Sequence, residues 1–166
     1  MQYPKISIVT PSFNQGKFLE QTIQSVLYQN YPNLEYIIID GNSTDNTIDI
    51  IKKYQNKISY WESVPDKGQT DAINKGFKRA KGEFIAWVNS DDYYMPGAIR
   101  SAVEALQQDK ELGFVYGIVR VVDPEQNIVN NLAYGDWGLQ DLLRFKVIGQ
   151  PSVFLRRSIL AKYCYL

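Results

Sequence analysis

Four short β-branched runs, each closed by polar residues and followed by a helical pattern, constrain this chain more than any other feature. The runs occupy residues 6–10, 34–39, 58–61 and 84–88. Between them apolar residues recur on one helical face. Phe18, Leu19, Thr22, Ile23, Val26 and Leu27 form the first such stripe. Ile48, Ile51 and Tyr54 form the second, and Ala72, Ile73, Gly76, Phe77 and Ala80 the third. Ile99, Val103 and Leu106 follow the last run, with Pro96 suited to the first turn of that helix. Run 34–39 is almost wholly apolar, as a strand covered on both faces should be. Repeated strand–helix order predicts an α/β chain: an open, mostly parallel (mixed) sheet with helices on both faces. After Gly113 the texture changes. Residues 114–122 and 128–132 flank Asp123-Pro124-Glu125-Gln126-Asn127 and read as a hairpin. Residues 137–144 suggest a short helix and 152–155 another strand.

Composition narrows the chemistry. The 166 residues contain no histidine and one cysteine, Cys164. This excludes Ser-His and Cys-His nucleophile pairs, imidazole ligands and cysteine-clustered zinc. Cys164 reads as a packing residue, because no basic cluster surrounds it in sequence. Any metal needs oxygen ligands, and a general base is most simply a carboxylate. Eighteen basic and eighteen acidic side chains balance, which argues against nucleic acid as a partner. No apolar stretch approaches the ~20 residues of a membrane span. No secretory signal is visible, so a cytoplasmic setting is expected. Neither a Gly-x-Gly-x-x-Gly nor a P-loop follows the first run.

Ligands of open parallel sheets sit beyond the carboxyl ends of the strands. There the chain places Thr10, Pro11, Ser12, Phe13 and Asn14 after the first run, and Asp40, Gly41, Ser43 and Asp45 after the second. Asp66, Lys67, Gly68 and Asp71 follow the third, and Ser90, Asp91 and Asp92 the fourth. Each group also has a purely structural reading. Asp40-Gly41 is a common turn pair, and Ser43 or Thr44 can cap a helix. Residues 66–68 fit a solvated loop. Asp91 and Asp92 could complement the dipole of the helix that follows. Adjacent carboxylates repel, however, and no turn needs both, so the pair also reads as an oxygen site for a hard divalent cation. The 12 tyrosines could stack on sugars or simply pack.

The ordered motifs resemble a known family. Ser7-Ile8-Val9-Thr10-Pro11-Ser12-Phe13-Asn14 resembles the opening strand of family-2 glycosyltransferases of the A-type fold. Residues 36–45, including Asp40-Gly41-Asn42-Ser43-Thr44-Asp45, resemble their second strand and acidic turn. Residues 66–76 and 80–83 are similar to the next segment, and Trp87-Val88-Asn89-Ser90-Asp91-Asp92 to the metal-binding acidic motif. Residues 149–154 and Arg156-Arg157 are similar in a less specific way.

The resemblance implies the Rossmann-like nucleotide-diphospho-sugar transferase fold and an inverting, metal-dependent transfer to an acceptor hydroxyl. The donor would be a nucleotide diphosphate sugar, by family habit UDP-linked, and the acceptor a saccharide, a lipid-linked sugar or a protein. Thr10, Pro11 and Phe13, with Asn14 and Ser43 beside them, would form the nucleotide site. Asp40 would accept a ring NH of the nucleobase. Lys67, Gly68 and Asp71 would border nucleotide and sugar. Ser90 and Asp91 would face the ribose or donor sugar, and Asp92, with Asp91, would hold Mn2+ or Mg2+ across the phosphates. Residues 1–166 would form one domain, with 1–112 as the donor-binding half and 113–166 as an incomplete start of the acceptor-binding half. The family's base is an acid in a later motif, so it is expected beyond Leu166, leaving Asp136 and Asp141 as weaker candidates. A donor-binding chain without transfer is the alternative reading. A nucleotidyltransferase fits less well, because residues 11–16 are not the glycine- and arginine-rich loop of those enzymes. Peripheral association with the inner face of a membrane is compatible with a lipid-linked acceptor.

Overall fold

The computed structural model describes residues 3–135, 140, 141, 144 and 147–163, the last three by their backbone alone. The expected short helix at 137–144 falls mostly outside this set, as do Asp136 and Cys164. The order is β1 (Ile6–Ser12), α1 (Leu19–Leu27), β2 (Leu34–Asp40), α2 (Thr47–Tyr54), β3 (Tyr60–Ser63), α3 (Gln69–Arg79), β4 (Phe84–Trp87) and α4 (Ala98–Gln108). Then come β5 (Phe114–Val115), β6 (Val119–Val122), β7 (Ile128–Leu132), β8 (Phe154–Arg156) and α5 (Arg157–Tyr163).

Six strands form one sheet in the order β3-β2-β1-β4-β8-β5, and β6 pairs with β7 separately. β1 to β4 are parallel, whereas β8 runs antiparallel to both β4 and β5. The expected mixed, mostly parallel sheet is therefore present. Residue parity sorts the core. Ile6, Ile8, Tyr36, Ile38, Phe84 and Ala86 pack under α1, α2 and α4. Val9, Ile37, Ile39 and Ile85 pack under α3 and Leu160 of α5. That alternation is the period-two pleat of a strand buried on both sides. Each fully buried aliphatic chain stabilises the fold by roughly 1.5–3 kcal/mol before chain entropy is charged against it.

Several element boundaries differ from the sequence expectation, each for a local reason. β1 continues through Pro11 to Ser12, where a loop was expected. Val9 O accepts from Val88 N at 2.9 Å on the β4 side. Two residues on, Pro11 faces that same side, beyond the last β1–β4 pair, so its missing N–H breaks no ladder bond. β3 starts two residues late, because a 3-10 turn over Gln55–Lys57 extends α2 and Ile58 caps it. α4 starts at Ala98 rather than at Pro96, since Gly97 takes a left-handed φ of 84° just before it. The single arm expected at 114–122 is two strands. Phe114–Val115 joins the main sheet through β8, and only Val119–Val122 pairs with β7. The last strand is Phe154–Arg156, because residues Gln150–Ser152 form a 3-10 turn.

The sheet order places β1 and β4 side by side, with chain connections leaving in opposite directions. This is the switch point at which open α/β sheets leave a crevice. The carboxyl ends of β1 to β4 share one edge because all four are parallel.

Candidate functional site

Polar crosslinks tie the loops at that edge together. Asn14, left-handed at φ 53°, accepts Thr44 N–H on its Oδ1 at 2.8 Å. Its own N–H donates to Ser43 Oγ at 2.8 Å. Gln15 N–H donates to Thr47 Oγ1 and Gly16 N–H to Asp45 Oδ2. Hydrogen bonds to the Asp45 carboxyl, from the Thr47 side chain first and from the Gly16 and Thr47 amides after it, hold it below its usual pKa. Asn14 and Ser43 thus fasten the loop after β1 to the loop after β2.

Asp40 lies beneath this junction and is fully buried. Its Oδ2 accepts from Ser43 N–H at 2.9 Å and from Ser63 Oγ at 2.6 Å, and its Oδ1 accepts from Ser43 Oγ at 2.5 Å. Thr10 is also fully buried, with its Oγ1 3.0 Å from Tyr36 OH. Ser12 Oγ is buried without a partner among the described residues.

A cavity of about 530 Å³ opens above them. Pro11, Phe13 and Gly41 line one side, Asp66 and Gly68 another, and Ser90 and Asp91 a third. Phe13 is 59% exposed at its mouth, which is costly for an aromatic ring unless something covers it. Gly68 caps α3 at φ 105° and contacts nothing where a Cβ would stand, so backbone conformation alone demands glycine there. Asp71, in the first turn of α3, accepts Lys67 N–H at 3.1 Å and pairs with Lys75 Nζ at 3.1 Å. The Lys67 amide first, then Lys75, hold its carboxyl low. Asp71 therefore braces the Lys67–Gly68 turn.

The acidic pair follows β4. Thr22 Oγ1 of α1 donates to the carbonyls of Ser90 and Asp92 at 3.0 and 2.7 Å. Asn89 is the centre of a second network. Its Nδ2 donates to Asp92 Oδ2 at 3.1 Å and to Gln150 Oε1 at 3.2 Å, and its Oδ1 accepts from Gln69 Nε2 at 2.8 Å. Gln150 in turn donates to Trp87 O at 2.9 Å. Burial, with the neighbouring Asp91 charge second, pushes the Asp92 carboxyl up, and the Asn89 bond opposes the shift.

A second cavity, of about 630 Å³, lies between α4 and the β6–β7 hairpin. Tyr93, Tyr116, Val119 and Phe154 line it, and so do Asp91 and Asp92. Asp91 borders both cavities. Asp91 thus stands where the two spaces meet, with Asp92 beside it on the 630 Å³ side. Asp141 lines neither cavity, and Asp136 lies outside the described residues.

The donor set suits a hard cation. Among the described residues, no three metal-binding side chains cluster without help. Two carboxylates do stand together, and the half-buried one is destabilised as an anion. Mg2+-like ions are commonly held by one or two carboxylates, with substrate phosphates and water completing the shell.

A family description, Glycosyl transferase family 2, matches residues 7–161. The chain belongs to glycosyl transferase family 2. TuaG of Bacillus subtilis, a putative teichuronic acid biosynthesis glycosyltransferase, is 34% identical over 162 residues, which is 93% of this chain and 63% of TuaG. An uncharacterized glycosyltransferase of Nostoc sp. is 34% identical over 121 residues, 68% of this chain and 36% of its own. The chain spans less than two thirds of the length of either relative. A mannosyltransferase of Pyrobaculum calidifontis, solved with GDP-Man and Mn2+, superposes with a TM-score of 0.74 at 19% identity. It covers 99% of this chain, which covers 48% of it. S. aureus TarS in complex with UDP-GlcNAc gives a TM-score of 0.73 at 21% identity over 95% of this chain and 47% of its own. These likenesses establish the A-type glycosyltransferase fold for this family-2 chain. No helix among its described residues is long and apolar enough to cross a membrane.

Sequence patterns could not identify Thr22, Asn89 and Gln150 as supports of the acidic pair. Their partners lie far along the chain, and no spacing rule links them.

Proposed function

We propose that this chain binds a nucleotide diphosphate sugar in the 530 Å³ cavity and transfers the sugar, with inversion, to a hydroxyl held in the 630 Å³ cavity. The placement of Asp91 on both cavities, with Asp92 next to it on the 630 Å³ cavity, carries this reading. Bond breaking at the donor leaves a nucleoside diphosphate with growing negative charge, and catalysis needs countercharge at that point. Bound Mn2+ or Mg2+ would supply it as a Lewis acid.

The chain's own residues do the rest. Asp92, aimed by Asn89, and Asp91 would hold the cation. Pro11 and Phe13 would cover the nucleotide, while Gly68 and Ser90 border it. Lys67, exposed beside them, would approach the phosphates. Thr10, Asn14, Asp40, Ser43 and Asp71 would act from behind the cavity wall, by holding the loops that form it. The neighbours solved with GDP-Man and Mn2+ and with UDP-GlcNAc support a nucleotide sugar as the ligand class. Aromatic walls in the second cavity suit a saccharide, whose CH faces stack on rings. A cytoplasmic site, at the inner face of a membrane for a lipid-linked acceptor, is the setting proposed.

Calorimetry with UDP- and GDP-sugars, with and without Mn2+, tests the donor half. Metal-dependent binding is expected, and its absence would overturn the reading. A second reading is donor binding without transfer. It is favoured by one observation: among the described residues, the only carboxylates lining the 630 Å³ cavity are Asp91 and Asp92, which this scheme assigns to the metal. Release of nucleoside diphosphate in the presence of acceptor separates the two readings.

A further inference from the structure

Asp40 and Asp66 are the two carboxylates nearest the nucleotide side of the site, and the structure treats them oppositely. Asp40 is fully buried, and three donors from Ser43 and Ser63 occupy its two oxygens. It does not line the cavity. Reaching a base would require breaking those bonds and opening the turn above it.

Asp66 does line the cavity and is half-buried. One oxygen, Oδ1, accepts Gly68 N–H at 2.8 Å, which fixes the plane of the carboxylate. Its other oxygen, Oδ2, lies over Gly41. A Cβ built on Gly41 would meet Asp66 Oδ2 at 3.0 Å, with Asp66 Cγ and Oδ1 both at 3.3 Å. Gly41 is not glycine for backbone reasons. The left-handed residue of this turn is its neighbour Asn42, at φ 69°, and Gly41 is not among the positive-φ glycines. The missing side chain instead leaves room for the Asp66 carboxylate to lie against the main chain. Gly41 N–H donates to Ser12 O at 2.8 Å, so the position is pinned to the end of β1 at the cavity floor.

We infer that Asp66, seated on Gly41, is the carboxylate that reads the nucleobase, and that Asp40 is the buried brace of the turn. This rests on the donor reading given above. An ionised carboxylate only accepts hydrogen bonds. It therefore favours a base whose ring nitrogen carries a proton, such as uracil or guanine. It opposes cytosine and adenine, whose corresponding ring nitrogens present lone pairs. Selectivity would then arise from a pair of residues on different loops, with glycine at 41 as important as the acid at 66.

The test is competition binding of UDP, GDP, CDP and ADP to the whole chain at fixed Mn2+, for the parent, Asp66→Asn, Gly41→Ala and Asp40→Asn. The parent should prefer UDP or GDP over CDP and ADP by at least about tenfold, the scale of one charge-assisted hydrogen bond. The UDP and GDP arms decide which imide base is read. Asp66→Asn presents an amide that can also donate, so CDP should gain on UDP and GDP by a similar factor. Gly41→Ala should erode the same preference by displacing the carboxylate. Asp40→Asn, assayed well below its unfolding temperature, should keep the parental ranking. An unchanged ranking in Asp66→Asn would overturn the assignment alone, as would loss of ranking in folded Asp40→Asn. No nucleotide binding by the parent would overturn the donor reading, and this assignment with it.

Discussion

Replacing Asp40 should cost stability rather than ligand contacts, and the size of the loss follows from its surroundings. The side chain is fully buried and accepts bonds of 2.9, 2.5 and 2.6 Å from Ser43 N–H, Ser43 Oγ and Ser63 Oγ. Hydrogen bonds to a charged group contribute roughly 1.5–3 kcal/mol each, and a stranded buried donor costs about 1–3 kcal/mol. The three do not add fully. Both hydroxyls can turn to other acceptors, and removing the charge also relieves its desolvation. Asp40→Ala should therefore destabilise by about 3–5 kcal/mol. At about 2–4 °C per kcal/mol for a chain of this size, the melting temperature should fall by roughly 10 °C. Asp40→Asn keeps one acceptor oxygen but turns an N–H edge toward a donor, so about 1–2 kcal/mol is expected. Ser43 Oγ also accepts Asn14 N–H, so loosening this turn should free the β1 loop. Urea unfolding with an unchanged m-value gives the energy, and hydrogen exchange at the Asn14 amide gives the local effect. Asp40→Ala melting within about 1 °C of the parent would refute the reasoning.

Asp92→Asn tests the other acid. Its folded pKa is raised by burial and by Asp91, so the fold favours the protonated form, and stability falls as pH rises through that pKa. Near neutrality the metal-free variant should thus melt higher than the parent and show a flatter acid limb, while losing metal-dependent nucleotide binding; a lower melting temperature would contradict this. Phe13→Ala should leave the melting temperature unchanged, because the ring is 59% exposed, yet weaken nucleotide binding by about 1–3 kcal/mol if bases stack there, as calorimetry would read. Gly76→Ala should destabilise by about 1–2 kcal/mol, since about 1 kcal/mol of helix propensity is outweighed by overpacking. Its new Cβ would stand 2.4 Å from Val9 Cγ1 in the buried middle of β1, and a stabilised variant in urea unfolding would show that α3 shifts freely.

The strands and helices of residues 1–112 were legible because burial on both faces leaves near-continuous apolar runs, and amphipathic faces leave a 3.6-residue stripe. Ile37, Ile38 and Ile39 are all essentially buried, which is why their run stands out in sequence. Ends were less legible, because single residues move them: Gly97 delays α4, and Pro11 is tolerated in β1 only because β4 has already parted from it. The 114–122 segment divides in two because Phe114–Val115 finds its partner in β8, far along the chain, with Phe114 opposite Leu155. Sequence order placed the polar residues on one edge, and Asp91 and Asp92 do stand there. It could not tell which acid is sealed. Asp40 and Asp66 both follow a strand, and only three-dimensional pairing with Ser43 and Ser63 separates the brace from the lining residue.

The way the site is held together bears on the cation proposed for it. Its loops are joined mainly by neutral amides and hydroxyls: Asn14 with Thr44 and Ser43, Gln69 with Asn89, Asn89 with Gln150, and Thr22 with the Ser90 and Asp92 carbonyls. Among the described residues, ion pairs join Glu20 to Lys53, Asp71 to Lys75, Glu62 to Arg79 and Glu83 to Arg156. None takes Asp66, Asp91 or Asp92, so the carboxylates bordering the two cavities are not neutralised by the frame that positions them. A bare diphosphate entering such a site meets like charge at close range, and in a partly desolvated crevice that repulsion is poorly screened. A divalent cation reverses the sign of the interaction for both partners at once. The frame positions these acids with neutral donors and does not compensate them, which would leave their charge available to the proposed metal and, at Asp66, to a ring N–H.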